Sequence, residues 1–476
     1  MVCPRFLFMI MPTSDTAGAA ARPTLKPLSL RRSFSWTLVA NGVTALSNVA
    51  ILSLMAKLGS TAMVGQYTLG ATLGAMILAL PELSLRAVQA TDARDRYRFS
   101  EYLGLRLVGV VVGGIAVVVA ALAGGYKTDT ALVVVLVGAY MGVNGVADIV
   151  YGLLQRHEQH NRMAISMIVK AILGVVVVGA AMAATHNVIT ACVGLIVTAS
   201  AVAILYDFPA ARFVLVNQQR LAISKTMAAD GPDGREDGIW PSFNGSRMRG
   251  LAWLSLPLGI ANALNLFYFH VARLVIVRYH GESDLGIYAA SAQIAAAGYL
   301  VTTALAMATG PRMAKLYADR KWNAFTGVLV KFLGVSLALG ASTMAVGALL
   351  GGPMLRALYT AEYAKQPAVL LWLLGAAAVN YVSTCFGTSL TVSRQFGVQL
   401  ALGIVSVATA LIVSIVLVPR IGLVGGGIAA AATSTVRLVG LSMVFLTTFA
   451  RTRRDDNAGA DLAPEIAAAA PEDNVL

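Results

Sequence analysis

Charge is what this chain has least of. Asp, Glu, Lys and Arg make up 12% of its 476 residues, about half the share of an ordinary soluble domain, which excludes a solvated globular surface over most of the length. Cysteine is scarce too: Cys3, Cys192 and Cys385 are scattered, with neither disulfide nor metal-ligand spacing, and read as ordinary apolar residues. No GxxxxGK[ST] phosphate loop occurs, and LVGGG at 423–427 reads as close helix packing rather than a nucleotide cradle, which argues against ATP hydrolysis. The HExH of His157, Glu158 and His160 is one residue short of the spacing that puts two imidazoles on one helical face. No metal and no cofactor are expected.

What the chain has in quantity is apolar residues, 57% of the total. They recur in stretches of about twenty, enough for a helix to span a hydrocarbon core roughly 30 Å thick. Such runs lie near 34–58, 62–83, 103–124, 130–154, 164–184 and 188–208, and again near 251–279, 285–308, 325–351, 367–391, 397–418 and 421–450. The expected fold is an all-α polytopic membrane protein of about 12 transmembrane helices, in two parallel six-helix bundles.

A net charge of +13 invites a nucleic-acid partner, but the positions of the charges argue against one. With both termini inside, the inner segments hold 25 of the 36 Lys and Arg, the outer segments 6 and the spans 5. Cytoplasmic segments retain such an excess, so both termini are expected in the cytoplasm. Arg86, Arg94, Arg96 and Arg98, which follow the second span, then read as topological anchors, with attraction to anionic head groups as a secondary role. The expected domains are an N-terminal cytoplasmic tail at 1–33, bundles at 34–208 and 251–450, a Gly-, Pro- and Asp-rich cytoplasmic linker at 209–250, and a disordered acidic tail at 451–476. The first apolar run is too short for a signal peptide; the opening stretch reads as a disordered tail, or as an over-long gene start with Met11 as initiator.

Six plus six spans call for a search for duplication. Trp36, Gly42 and Asn48 match Trp253, Gly259 and Asn265 at one constant offset, and Gly65 and Tyr67 match Gly286 and Tyr288 at an offset four residues larger. Two parallel halves about an axis along the membrane normal are an arrangement of alternating-access transporters.

Ionisable groups inside spans cost roughly 2.5–3.5 kcal/mol each at mid-membrane, so they are candidate site residues. Arg106 is near enough to the inner boundary to snorkel. Lys170 and Lys331 lie about 10 Å in at 1.5 Å per residue, and Arg273 is comparably deep from the other face. Arg437 sits mid-span, out of reach of either surface; its alternative is a structural pair with a carboxylate such as Asp148. Asn262, Asn265 and Arg273 fall within about 80° on the seventh span, with His270 at the edge, at 100° per residue. Thr37, Asn41, Thr44 and Asn48 form a similar stripe on the first. These stripes are either interhelical hydrogen bonds or the lining of a wet cavity, which would suit an anionic, hydroxyl-rich ligand.

On LG-x5-GQYTL at 58–69, ELSLRAVQATD at 82–92 and LVPRIGLVGGGIA at 417–429, the chain resembles the polysaccharide-flippase branch (O-antigen flippase-like) of the multidrug/oligosaccharidyl-lipid/polysaccharide exporter superfamily. The resemblance implies a non-enzymatic, V-shaped transporter in the bacterial cytoplasmic (inner) membrane. It would move lipid-linked oligosaccharide on an undecaprenyl diphosphate carrier to the outer leaflet, in contact with the lipid bilayer. A coupling cation or proton, a polysaccharide polymerase and assembly proteins would be its further partners. The rival readings are a drug/cation antiporter of the same fold, expected to carry buried carboxylates, a membrane enzyme of polysaccharide assembly, expected to carry a large outer loop, and a non-catalytic scaffold.

Overall fold

The structure, a computed structural model, describes residues 30–92, 96–226, 238–393 and 395–468. The expectations for the N-terminal tail, Arg94, Arg394, most of the Gly-, Pro- and Asp-rich linker run and the last eight residues fall outside these. Long apolar segments must satisfy every backbone N–H and C=O within themselves, and every described element is helical. The first half comprises α1 (Leu30–Leu58), α2 (Thr61–Glu82), the short α3 (Leu85–Thr91), α4 (Phe99–Ala123), α5 (Thr128–Arg156), α6 (His160–Thr185) and α7 (Val188–Val202), which runs through a π turn at Ala203–Asp207 into α8 (Phe208–Thr226). The second half comprises α9 (Gly245–Ala296), α10 (Tyr299–Ala318), α11 (Trp322–Leu358), a 3-10 turn at Tyr363–Lys365, α12 (Pro367–Val392), α13 (Phe396–Ile421) and α14 (Leu423–Ala468).

Eleven described segments are long and apolar enough to cross a membrane, and one of them, Gly245–Ala318, contains 74 residues. It turns back at Gly281, whose φ of 83° and ψ of −172° lie in a region essentially reserved for glycine. That segment is therefore long enough to cross twice, which makes twelve crossings among the described residues. Polar residues open several helices: Ser60 Oγ accepts from the Met63 N–H at 3.3 Å, and Asn187 Oδ1 accepts from that of Ile189 at 2.8 Å, satisfying donors that a first turn leaves bare.

Residues 209–226, expected in the linker, are helical within α8, and the last helix runs on to Ala468, where a disordered tail was expected from 451. Both stretches are polar, so hydropathy alone ended the helices too early.

In the first lobe α1 packs on α6, and α2 packs against α4 and α5; in the second, α12 packs against α11 and α14, and α13 lies between α14 and α9. The lobes meet chiefly along α2 and α9. At the end remote from the chain termini, the far end, one apolar core joins both lobes, from Met55, Val64 and Val134 to Leu285, Leu355 and Leu370. At the termini end the core is split. Leu85, Tyr102, Leu154 and Val214 belong to one cluster, and Phe325, Phe332 and Phe445 to another. The lobes thus share one core at the far end and have two at the end that carries the termini, where the start of α9, with Leu251, packs into the first lobe's cluster.

The small-residue run behaves as expected. A Cβ at Gly425 would lie 2.7 Å from the Leu417 backbone, one at Gly426 2.8 Å from Ile276, and one at Gly427 2.8 Å from Trp372, so these glycines let α14 close on its neighbours.

Candidate functional site

The far-end seam is built from the bend in α9 and the start of α2. A Cβ at Gly65 would fall 1.7 Å from the Glu282 carbonyl oxygen, and one at Gly286 2.2 Å from that of Thr61. Gly286 follows Gly65 by 221 positions, and Glu282 follows Thr61 by the same 221. Each close approach therefore maps onto the other when the halves are exchanged, as a two-fold relation between parallel repeats requires. Polar side chains reinforce the seam. The Glu282 carboxylate accepts from Gln66 Nε2 at 3.0 Å and from Thr130 Oγ1 at 2.5 Å, and Thr61 and Ser283 share a hydroxyl hydrogen bond of 2.5 Å. On α1, Ser53 Oγ donates to the Leu358 carbonyl and Lys57 Nζ to that of Ala357 at 2.6 Å.

The two-fold relation fails toward the termini end. A Cβ at Gly259 would stand 2.9 Å from Leu83 Cα, whereas one at Gly42, its counterpart in the sequence repeat, would meet nothing within 4 Å. Leu83 and Ser84 adopt left-handed backbone, with φ of 51° and 49°, and make the corner between α2 and α3 that α9 leans on.

The cations of the first lobe are paired. Arg86 donates to Asp148 Oδ1 at 2.7 Å and lies near Gln155 Oε1 at 3.4 Å, so it has a structural partner beyond any anchoring role. Arg106, only 1% exposed, does not snorkel; it stands 3.4 Å from Glu82 and 4.0 Å from Asp148. Asp148 is therefore engaged here, and not with Arg437. Lys170 meets Asp207 Oδ2 at 2.9 Å and lies 5.0 Å from the centre of the Tyr151 ring. Asp207 is fully buried. Sequence reasoning put it at a span boundary and missed it, although its apolar flanks on both sides were the available signal.

The second lobe differs. Arg437, on α14 and partly exposed, donates through Nη1 to Asn265 Oδ1 at 3.2 Å and to Tyr268 Oη at 2.5 Å, both on α9, and lies 5.0 Å from the centre of the Tyr268 ring. Its Nε and Nη2 have no hydrogen-bond partner among the described residues, and no carboxylate lies nearby to neutralise it. The sequence contains no Asp or Glu from Leu285 to Ala318, from Lys321 to Ala361, or from Tyr363 to Arg454. Asn262 is exposed on the same helix as Asn265, and Asn48 is exposed on α1. Lys331 is exposed on α11, away from Phe325, Phe332 and Ser336, which that helix buries.

Arg273 and His270 face elsewhere. Their side chains meet at 3.4 Å, from Nη1 to Nδ1, and Arg273 lines a cavity of about 180 Å³ inside the second lobe. The structure thus unites Arg437 with Asn265, sets Arg273 with His270, and keeps Lys170 and Asn48 in the other lobe. Tyr268 touches both second-lobe groups, bonding Arg437 and lining the cavity. It was not anticipated, though its i+3 spacing from Asn265 placed it on the same helical face.

Twelve crossings among the described residues, in two lobes joined at one end, define a multi-pass membrane protein. A family model described as "Polysaccharide biosynthesis protein" matches residues 30–317, more than half the chain, and one described as MatE matches residues 257–419. The chain belongs to the polysaccharide biosynthesis protein family. It is 23% identical over 413 residues to "Capsular polysaccharide biosynthesis protein CapF" of Staphylococcus aureus, covering 86% of this chain and 97% of that protein. Among solved structures, an inward-facing multidrug resistance MATE family transporter of the MOP superfamily matches with a TM-score of 0.61 at 13% identity, over 85% of this chain and 95% of that one. A MOP superfamily transporter from Pyrococcus furiosus matches with a TM-score of 0.54 at 13% identity, over 88% and 94% of the two chains. These structural likenesses establish the fold.

Proposed function

We propose that this protein is an alternating-access flippase that moves oligosaccharide linked to undecaprenyl diphosphate from the cytoplasmic to the outer leaflet of the bacterial inner membrane, for surface polysaccharide biosynthesis. The observation that carries this reading is Arg437. It is a deep cation with two uncommitted donor nitrogens, in a lobe whose span carboxylates, Glu282 and Asp284, sit at the far-end bend of α9. At an effective dielectric near 20, a guanidinium about 4 Å from one phosphate charge gains about 4 kcal/mol, comparable with its insertion cost. A diphosphate thus accounts for a cation that the protein leaves unneutralised. The exposed amides Asn48, Asn262 and Asn265 supply the paired donors and acceptors that sugar hydroxyls need. The name of the Staphylococcus aureus relative points to capsular polysaccharide biosynthesis and favours the same substrate class.

The excess of Lys and Arg at the termini end supports a cytoplasmic position for that end, and on that reading the conformation joined at the far end is the inward-facing one. Substrate enters between the two termini-end cores, its diphosphate meeting Arg437. Separation of the seam at Gly65, Glu282 and Gly286 then exposes the same residues outward.

The test is the sidedness of lipid-linked oligosaccharide in cells depleted of this protein, probed with a membrane-impermeant glycosidase on intact spheroplasts and on inverted vesicles. Accumulation confined to the cytoplasmic leaflet, reversed by wild type and not by a stably inserted Arg437→Ala variant, is the expected result. Normal sidedness with altered drug sensitivity or an altered polymer refutes the reading.

A further inference from the structure

A partly open cavity in the second lobe has one-sided chemistry. It measures about 180 Å³ and lies between α9, α10, α12, α13 and α14. A single water needs only about 10–15 Å³ of probe-occupied volume, so the space admits a small ion with several waters. Arg273 forms part of its wall. The Arg273 Nε is inaccessible and has no hydrogen-bond partner, and Nη1 reaches only His270.

The other polar groups are mostly engaged. Tyr288 Oη donates to the Gly426 carbonyl at 3.3 Å, Tyr381 Oη to that of Ala295 at 3.3 Å, and Asn380 Nδ2 to Ser434 Oγ at 2.8 Å. Ser414 Oγ, also on the wall, is buried with no partner. No Asp or Glu lines the space. The uncommitted groups include a permanent cation, Arg273, and the hydroxyls of Ser414 and Tyr299.

We infer that this cavity binds a small inorganic anion, held by Arg273 and Ser414. A half-buried guanidinium without a counter-charge beside it is costly, and no carboxylate on the cavity wall supplies one. A wall of donors fits a ligand that only accepts, and a positive wall repels coupling cations. Tyr268 lines this cavity and also bonds Arg437, so the ion sits one side chain away from the proposed substrate site.

The experiment uses the purified full-length protein in detergent and reads thermal unfolding at constant ionic strength, in sodium chloride, sodium phosphate or sodium gluconate. A ligand that binds only the folded state stabilises it by RT ln(1 + [L]/Kd). The midpoint is therefore expected to rise by several degrees with chloride or with phosphate relative to gluconate, following a saturable curve. Measured in an Arg437→Gln background, so that phosphate at Arg437 does not contribute, Arg273→Gln abolishes the rise and Ser414→Ala weakens it at least several-fold in half-saturating concentration. Whichever anion acts identifies the ion. Equal behaviour in all three salts, or a rise retained by Arg273→Gln, overturns the inference and leaves the cavity to water. Should Arg273→Gln not fold, anomalous scattering from bromide in the wild type decides: density beside Arg273 supports the site and its absence refutes it. The readout requires no transport, so it stands or falls separately from the flippase reading.

Discussion

Replacing Gly65 by alanine tests the mechanical part of the proposal. The new methyl carbon would fall 1.7 Å from the Glu282 carbonyl oxygen. Carbon and oxygen in close contact sit about 3.3–3.6 Å apart, so roughly 1.7 Å must be made up. The obstacle is backbone, and no side-chain rotation relieves it. The remaining relief is to part α2 from the bend in α9, which strains the Glu282 bonds to Gln66 and Thr130. A hydrogen bond to a charged group contributes about 1.5–3 kcal/mol. Because Glu282 is only half-buried, the lower figure applies, and losing one such bond shifts the balance of states about tenfold toward far-end opening. The assay is a pulsed electron-spin distance measurement between labels at the exposed positions Lys127 and Glu362, on opposite lobes at the far end. Gly65→Ala is expected to move population to longer distances, as is Gly286→Ala, its counterpart. Gly42→Ala, which has open space around it, is the control. A folded Gly65→Ala protein with an unchanged distance distribution would show that the seam does not hold the inward-facing state.

Two further perturbations address the scaffold. Lys170→Met or Asp207→Asn alone leaves its partner buried and uncompensated, which costs about 3–5 kcal/mol; each should lose monodisperse protein on size-exclusion chromatography, while Lys170→Met combined with Asp207→Leu recovers it. Recovery failing in the pair would mean that this site does more than balance charge. Gly281→Ala places a side chain at φ 83°, ψ −172° and should cost about 1–3 kcal/mol, read as a lowered unfolding midpoint; an unchanged midpoint would show that the bend relaxes without cost.

The crossings were legible because twenty-residue apolar runs have one stable solution in lipid, and the relation between the halves was legible in Gly65 and Gly286. Partnerships were not. Lys170 and Asp207 are 37 positions apart, and nothing local in either segment announces the other. Arg106 looked able to snorkel because depth is readable along a helix, whereas the Glu82 beside it belongs to a different one. The bend at Gly281 was hidden by its setting, since RYHGESD is polar enough to pass for an ordinary loop. The division of the second-lobe candidates between Arg437 and the Arg273 cavity depends on how α9 is rotated against α14, which periodicity on one helix does not fix.

The two lobes share a repeat yet treat charge oppositely, and that difference yields a sharper test than truncation. In the first lobe Arg86 and Arg106 are met by Asp148 and Glu82, and Lys170 by Asp207; in the second, Arg437 has an amide and a phenol. Asn265 is nearly isosteric with aspartate, and its Oδ1 already lies 3.2 Å from Arg437 Nη1. Asn265→Asp should therefore preserve the geometry while giving the second lobe the internal neutralisation that the first lobe has. If Arg437 serves to meet a diphosphate, an internal carboxylate competes for it, and transport should fall by tenfold or more without loss of folded protein. Asn265→Ala, which removes a hydrogen bond but leaves the charge available, should retain more activity than the aspartate variant. A purely structural Arg437 predicts the reverse order, because a charge-assisted bond would strengthen its packing and a deletion would weaken it. The ranking of these two variants in the sidedness assay separates a cation kept for a ligand from a cation kept for the fold.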